Sequence, residues 1–141
     1  FGAEAGFMTG AVSMLVSNFL FGQGMWTPWQ MFAFGVAGFL AGAVFCDAHV
    51  KAGKLGLALF GGFAVMLIVG PLLDSCTLFT MTSEISAQAA AGVYLAGLPV
   101  NAIHASATVL TLLFVSEPLL EKLNRVKTKY GMMERGGSDD F

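Results

Sequence analysis

The chain has 141 residues, 56% of them hydrophobic and only 11% charged, with a formal net charge of −2 and a mean hydropathy of +0.75. A water-soluble domain carries about 25% charged residues. The composition therefore excludes a globule coated by polar surface, and a lipid bilayer is the solvent that fits.

A spanning helix needs roughly 20 mostly apolar residues to cross about 30 Å of hydrocarbon, and four segments meet that requirement. The first runs over about Gly2–Gly22, with Glu4 as its only charge. The chain opens on Phe1 and is apolar from there, with no basic stretch ahead of the first span. That start predicts no cleaved leader and a chain shortened at its N-terminus. A short turn, Gln23–Pro28, leads into the second span, about Trp29–Cys46, and a polar turn over Asp47–Lys54 leads into the third, about Leu55–Leu73. The longer connection Asp74–Leu98 holds Ser83, Glu84 and Ser86 ahead of an Ala-rich run. It predicts a short helix from Ser83 with Glu84 in its first turn. Gly97-Leu98-Pro99 is expected to break the chain, with Pro99 in the first turn of a fourth span over about Pro99–Leu120. From Glu117 an amphipathic tail helix follows, with Leu119, Leu123, Val126 and Tyr130 on one face. Residues 1–135 thus form one all-α membrane domain and 136–141 a tail expected to lack structure.

The seven basic residues are Lys51, Lys54, Lys122, Arg125, Lys127, Lys129 and Arg135. All fall in the second connection or the tail. The positive-inside rule makes those two places cytoplasmic, and alternation of four spans agrees. Both termini are then expected inside, with Gln23–Pro28 and Asp74–Leu98 outside. Cys46 is expected at the inner end and Cys76 outside, too far apart for a disulfide or a shared metal site.

Small residues recur every fourth position at Gly2, Gly6 and Gly10, and again at Gly38 and Gly42. Such rows let helix backbones approach closely in lipid, either inside one bundle or on a face that docks another subunit. The outer turn holds Gln23, Trp26, Trp29 and Gln30 around Pro28. Tryptophan there is ordinary interface anchoring, but aromatic faces beside amides also suit a ring-bearing small molecule. Asn18, Asn101 and His104 are polar residues within apolar spans, so each needs a partner or a cavity to face. Asn101 and His104, three apart, share one helix face. With Asp74 where the third span emerges, they read either as helix-packing hydrogen bonds or as the lining of an outward-opening pocket. Gly53-Lys54 is followed by leucine, so no phosphate loop is present, and no nucleophile elbow or zinc helix is found. No catalytic residue, metal or cofactor is predicted, and the short basic tail does not argue for nucleic acid.

The stretch G-F-M-T-G-A-V-S-M-L-V-S-N-F-L-F-G-Q-G-M-W-T-P-W-Q-M-F-A-F-G-V-A-G-F-L-A-G (Gly6–Gly42) resembles a segment of one group of S components of energy-coupling-factor vitamin transporters. So does A-G-L-P-V-N-A-I-H-A-S-A-T-V-L (Ala96–Leu110), followed by E-P-L-L-E-K-L-N-R-V-K-T-K-Y-G. The resemblance implies a six-helix bundle around a vitamin near the outer face, with the four spans here equivalent to the last four. It also implies a membrane-embedded coupling (T) subunit and two ATPase subunits as partners. A corrinoid or its precursor is the ligand expected from this subgroup. The competing class is a small ion-coupled secondary transporter or channel-like subunit. It is expected to carry acids at mid-membrane, and no Asp or Glu falls near the middle of the four expected spans.

Overall fold

The computed structural model describes residues 1–47 and 53–130. The turn around His49 and Lys51, the side chain of Cys46, and Arg135 with the tail 136–141 lie outside the described residues. The described chain is all-helical: α1 (Gly2–Phe21), α2 (Thr27–Asp47), α3 (Lys54–Ala64), a π-helical turn (Val65–Val69), α4 (Gly70–Met81) and α5 (Ala87–Lys129). Because α3, the π turn and α4 form one continuous rod over Lys54–Met81, four rods are long and apolar enough to cross a bilayer.

The distribution of side chains suits lipid. The most buried positions include small residues, with Ala33 and Ala58 at 0% exposure, while Phe114 is 78% and Leu20 77% exposed. In a bilayer, large apolar side chains lose nothing by facing the hydrocarbon, so the inside goes to residues that let backbones approach. The α1–α2 seam shows this directly. A Cβ on Gly6 would run into the Gly38 carbonyl, one on Gly38 into the Gly6 carbonyl, and one on Gly10 into the Phe34 carbonyl. A Cβ on Gly42 would meet the backbone of Gly2 and Ala3. Gly2 itself, at φ +85°, has open space beside it and contributes only its carbonyl. The row thus packs two helices of this chain against each other.

The third rod is longer than expected. It passes Leu73 and runs to Met81, 28 residues in all. The hydroxyls of Ser75, Thr77 and Thr80 donate to carbonyls four residues back, so this polar stretch stays helical without water. At 1.5 Å per residue, Asp74 stands about 30 Å from Lys54, near the far boundary of a hydrocarbon layer entered at Lys54. The π turn sits just before Pro71, with the Gly70 N–H bonded to Val65 O. A proline ring clashes with the carbonyl four residues back in a regular helix, and the wider turn relieves that crowding.

The fourth rod also departs from expectation. Ser83 and Glu84 form a bend, not a short helix. Ser86 caps α5, its Oγ accepting from Ala89 N at 3.1 Å, because it directly precedes the strong helix formers Ala87–Ala91. The helix then runs unbroken for 43 residues with Pro99 and Pro118 inside it. Membrane helices tolerate proline where packing holds the rod, and here Gly97 serves an approach to α4 instead of a break. The tail helix is the continuous end of α5.

Two contacts gather the basic ends. Lys54 Nζ lies 3.2 Å from Glu117 Oε2, and Lys127 Nζ lies 5.8 Å from the centre of the Phe1 ring. The start of α1, the start of α3 and the end of α5 therefore share one end of the bundle.

Candidate functional site

A cavity of about 450 Å³ opens between the rods, within the range of small-molecule sites. Its apolar wall comes from Met14, Phe34, Val69, Leu73 and Leu112, and its polar lining from Gln30, Asn101, His104, Thr108 and Thr111. The π turn helps build it, since Val65, Val69 and Gly70 all line the cavity.

Of the residues singled out in the sequence, Gln30, Asn101 and His104 line this cavity. Asn18 is buried behind it and donates from Nδ2 to Gln30 Oε1 at 2.7 Å, tying α1 to α2. Asp74 is likewise outside the lining, where it accepts from Asn101 Nδ2 at 2.8 Å. Asp74 is thus half-buried and paired, not simply solvated at a helix end. Gln23, Trp26 and Trp29, from the same turn as Gln30, are not brought to the cavity. Gln23 is exposed, and the exposed Trp26 ring folds over Gly24, where an added Cβ would meet it. Trp29 stacks on Phe79 of α4, centroids 6.0 Å apart and planes 20° from parallel. Neither tryptophan is among the residues that line the cavity. Cys76 is buried at 5% exposure.

Asp74 and Asn101 sit in a reciprocal interlock. A Cβ on Gly70 would lie 2.6 Å from Asn101 Cγ, and one on Gly97 2.6 Å from Asp74 Cγ. Each helix carries a glycine and, four residues on, a polar side chain. Because α4 and α5 run antiparallel, each polar group fills the space over the other helix's glycine. Ser75 Oγ and Tyr94 Oη, 2.7 Å apart, add a bond nearby.

The imidazole of His104 makes no hydrogen bond among the described residues, and the residue is exposed. It is a polar group of the lining that packing leaves open. Thr108 and Thr111 were not singled out from the sequence, although Asn101, His104, Thr108 and Thr111 recur at i, i+3, i+7 and i+10, the spacing of one helix face. That recurrence was the available signal. Tyr94 and the π turn had none.

The S-component model of the ECF-type riboflavin transporter family matches residues 1–124. No curated protein and no solved structure matches the chain.

Proposed function

Because the chain belongs to the family of S components of ECF-type riboflavin transporters, we propose that it captures riboflavin from outside the cell and passes it inward with a T subunit and two ATPase subunits. As an S component it is a substrate-binding part of a membrane transporter, not an enzyme. The corrinoid expected from the subgroup gives way to riboflavin, which the family description names.

The observation that carries this reading is the cavity, lined mainly by apolar residues with Gln30, Asn101 and His104 among its polar groups. A flavin has matching chemistry: a flat, largely apolar ring system with an imide edge and a hydroxylated chain. His104→Ala tests the reading most cleanly, since the imidazole has no hydrogen bond within the described protein to lose. The expected result is riboflavin affinity weakened about 5- to 150-fold, read by flavin fluorescence quenching, with thermal stability unchanged. Unchanged affinity with lowered stability would instead make His104 a packing residue.

The orientation we propose places the end shared by Lys54, Lys122, Arg125, Lys127 and Lys129 in the cytoplasm. Buried Cys76 is a poor reporter. With the native cysteines changed to serine, Ser83→Cys in the exposed α4–α5 loop should react with a membrane-impermeant maleimide on intact cells, and Lys54→Cys should not. The reverse pattern overturns the orientation.

A further inference from the structure

Asn101 donates through Nδ2 to Asp74, while its Oδ1 accepts no hydrogen bond from the described residues. The side chain lines the cavity, and Asp74 does not. An ionised carboxylate can only accept hydrogen bonds, whereas an amide has one accepting and one donating end. Pairing with Asp74 therefore settles which way round the Asn101 amide sits. The interlock makes that pairing rigid. Gly70 leaves the space that Asn101 occupies and Gly97 the space that Asp74 occupies, so neither group can move aside without leaving a void.

We infer that Asp74 is a positioning residue: it holds the Asn101 amide with Oδ1 available to the cavity, so the site selects a ligand bearing an N–H or O–H donor at that point. The inference deepens the proposed function and rests on the cavity being the ligand site. In riboflavin the donor is either the imide N–H of the ring or a hydroxyl of the ribityl chain. Asn101 supplies an acceptor to either. The rule for ligands follows from a residue that never touches them.

Asp74→Asn removes the constraint while nearly preserving size. Two facing amides pair in either sense, so Asn101 no longer has one enforced orientation. Riboflavin affinity should fall about tenfold. N3-methylriboflavin lacks the imide donor and lumiflavin lacks the hydroxyls. The analogue missing the relevant donor should bind wild type and Asp74→Asn equally well, which identifies the donor. A merely structural role predicts the same loss for riboflavin and both analogues, and that result overturns the inference. The exchanged pair, Asp74→Asn with Asn101→Asp, again presents an acceptor oxygen to the cavity and should recover affinity relative to Asp74→Asn alone.

A ligand-free measurement separates this inference from the riboflavin reading. In protein labelled with 15N-asparagine in nanodiscs, the Asn101 side-chain amide is assigned by its loss in Asn101→Asp. One of its two protons should be shifted by the carboxylate in wild type, and that shift should vanish in Asp74→Asn. If wild type binds no riboflavin, the ligand reading fails, and the amide signal still decides on Asp74. A shift absent from wild type, or unchanged in Asp74→Asn, overturns its positioning role.

Discussion

Replacing Gly38 with alanine should force α1 and α2 apart and destabilise the protein by about 2–3 kcal/mol. The new methyl would fall on the Gly6 carbonyl. Overpacking typically costs 1–3 kcal/mol even where side chains can yield. Here the obstacle is backbone, which cannot rotate out of the way, so the upper part of that range is expected. Gly6→Ala meets the Gly38 carbonyl and should behave alike. The comparison that isolates packing from helix propensity is Gly56→Ala and Gly92→Ala, at exposed helical positions where an added Cβ meets nothing within 4 Å. Alanine is a better helix former than glycine by about 1 kcal/mol, so these variants should be as stable as wild type or more so. Thermal unfolding in detergent, followed by size-exclusion profile, reads all four. Equal effects at the seam and at the control positions would remove the glycine row from the packing account. The same measurement bears on the site, because Asn18 of α1 reaches Gln30 of α2 across that seam.

The largest functional effect concerns energy. Reconstituted alone in liposomes, the protein should bind riboflavin yet never raise its internal concentration above the external one. Each tenfold of accumulation requires about 1.4 kcal/mol, and the sequence contains no phosphate loop with which to draw it from ATP. An ion gradient is the other source, and it needs an acid that changes partner during transport. Asp74 is the carboxylate to consider, since it lies inside the continuous third rod and not beyond it. It is engaged with Asn101 and fitted over Gly97, the arrangement of a fixed partner. Imposing a proton or sodium gradient on these liposomes should therefore leave uptake at equilibration. Adding the T and ATPase subunits with internal ATP should start uphill uptake, and a variant disabled at the ATPase nucleotide site should abolish it. Gradient-driven accumulation by the lone protein, lost in Asp74→Asn, would replace the ECF reading with the secondary transporter.

Composition and period settled what depends on local chemistry. A chain with 11% charged residues has no choice but lipid, and in lipid each apolar run of sufficient length closes its own backbone hydrogen bonds as a helix. Four spans, the glycine rows and the polar face shared by Asn101 and His104 follow from that alone. The placement of all basic residues in two segments anticipated the common end now tied by Lys54 and Glu117. Tertiary contacts decided the rest. Gly97 and Pro99 are local breakers, but α5 continues through them because α4 lies against that stretch and Asp74 needs the space over Gly97. Trp26 and Trp29 carried the chemistry of a ligand cage, yet Trp29 is claimed by Phe79, 50 residues away. Whether Asn18 and Asp74 face a cavity or stand behind it depends on how the rods are rotated against one another. Rotation is fixed by which surfaces interlock, and pair partners such as Gly70 with Asn101 become neighbours only once the chain has turned back on itself.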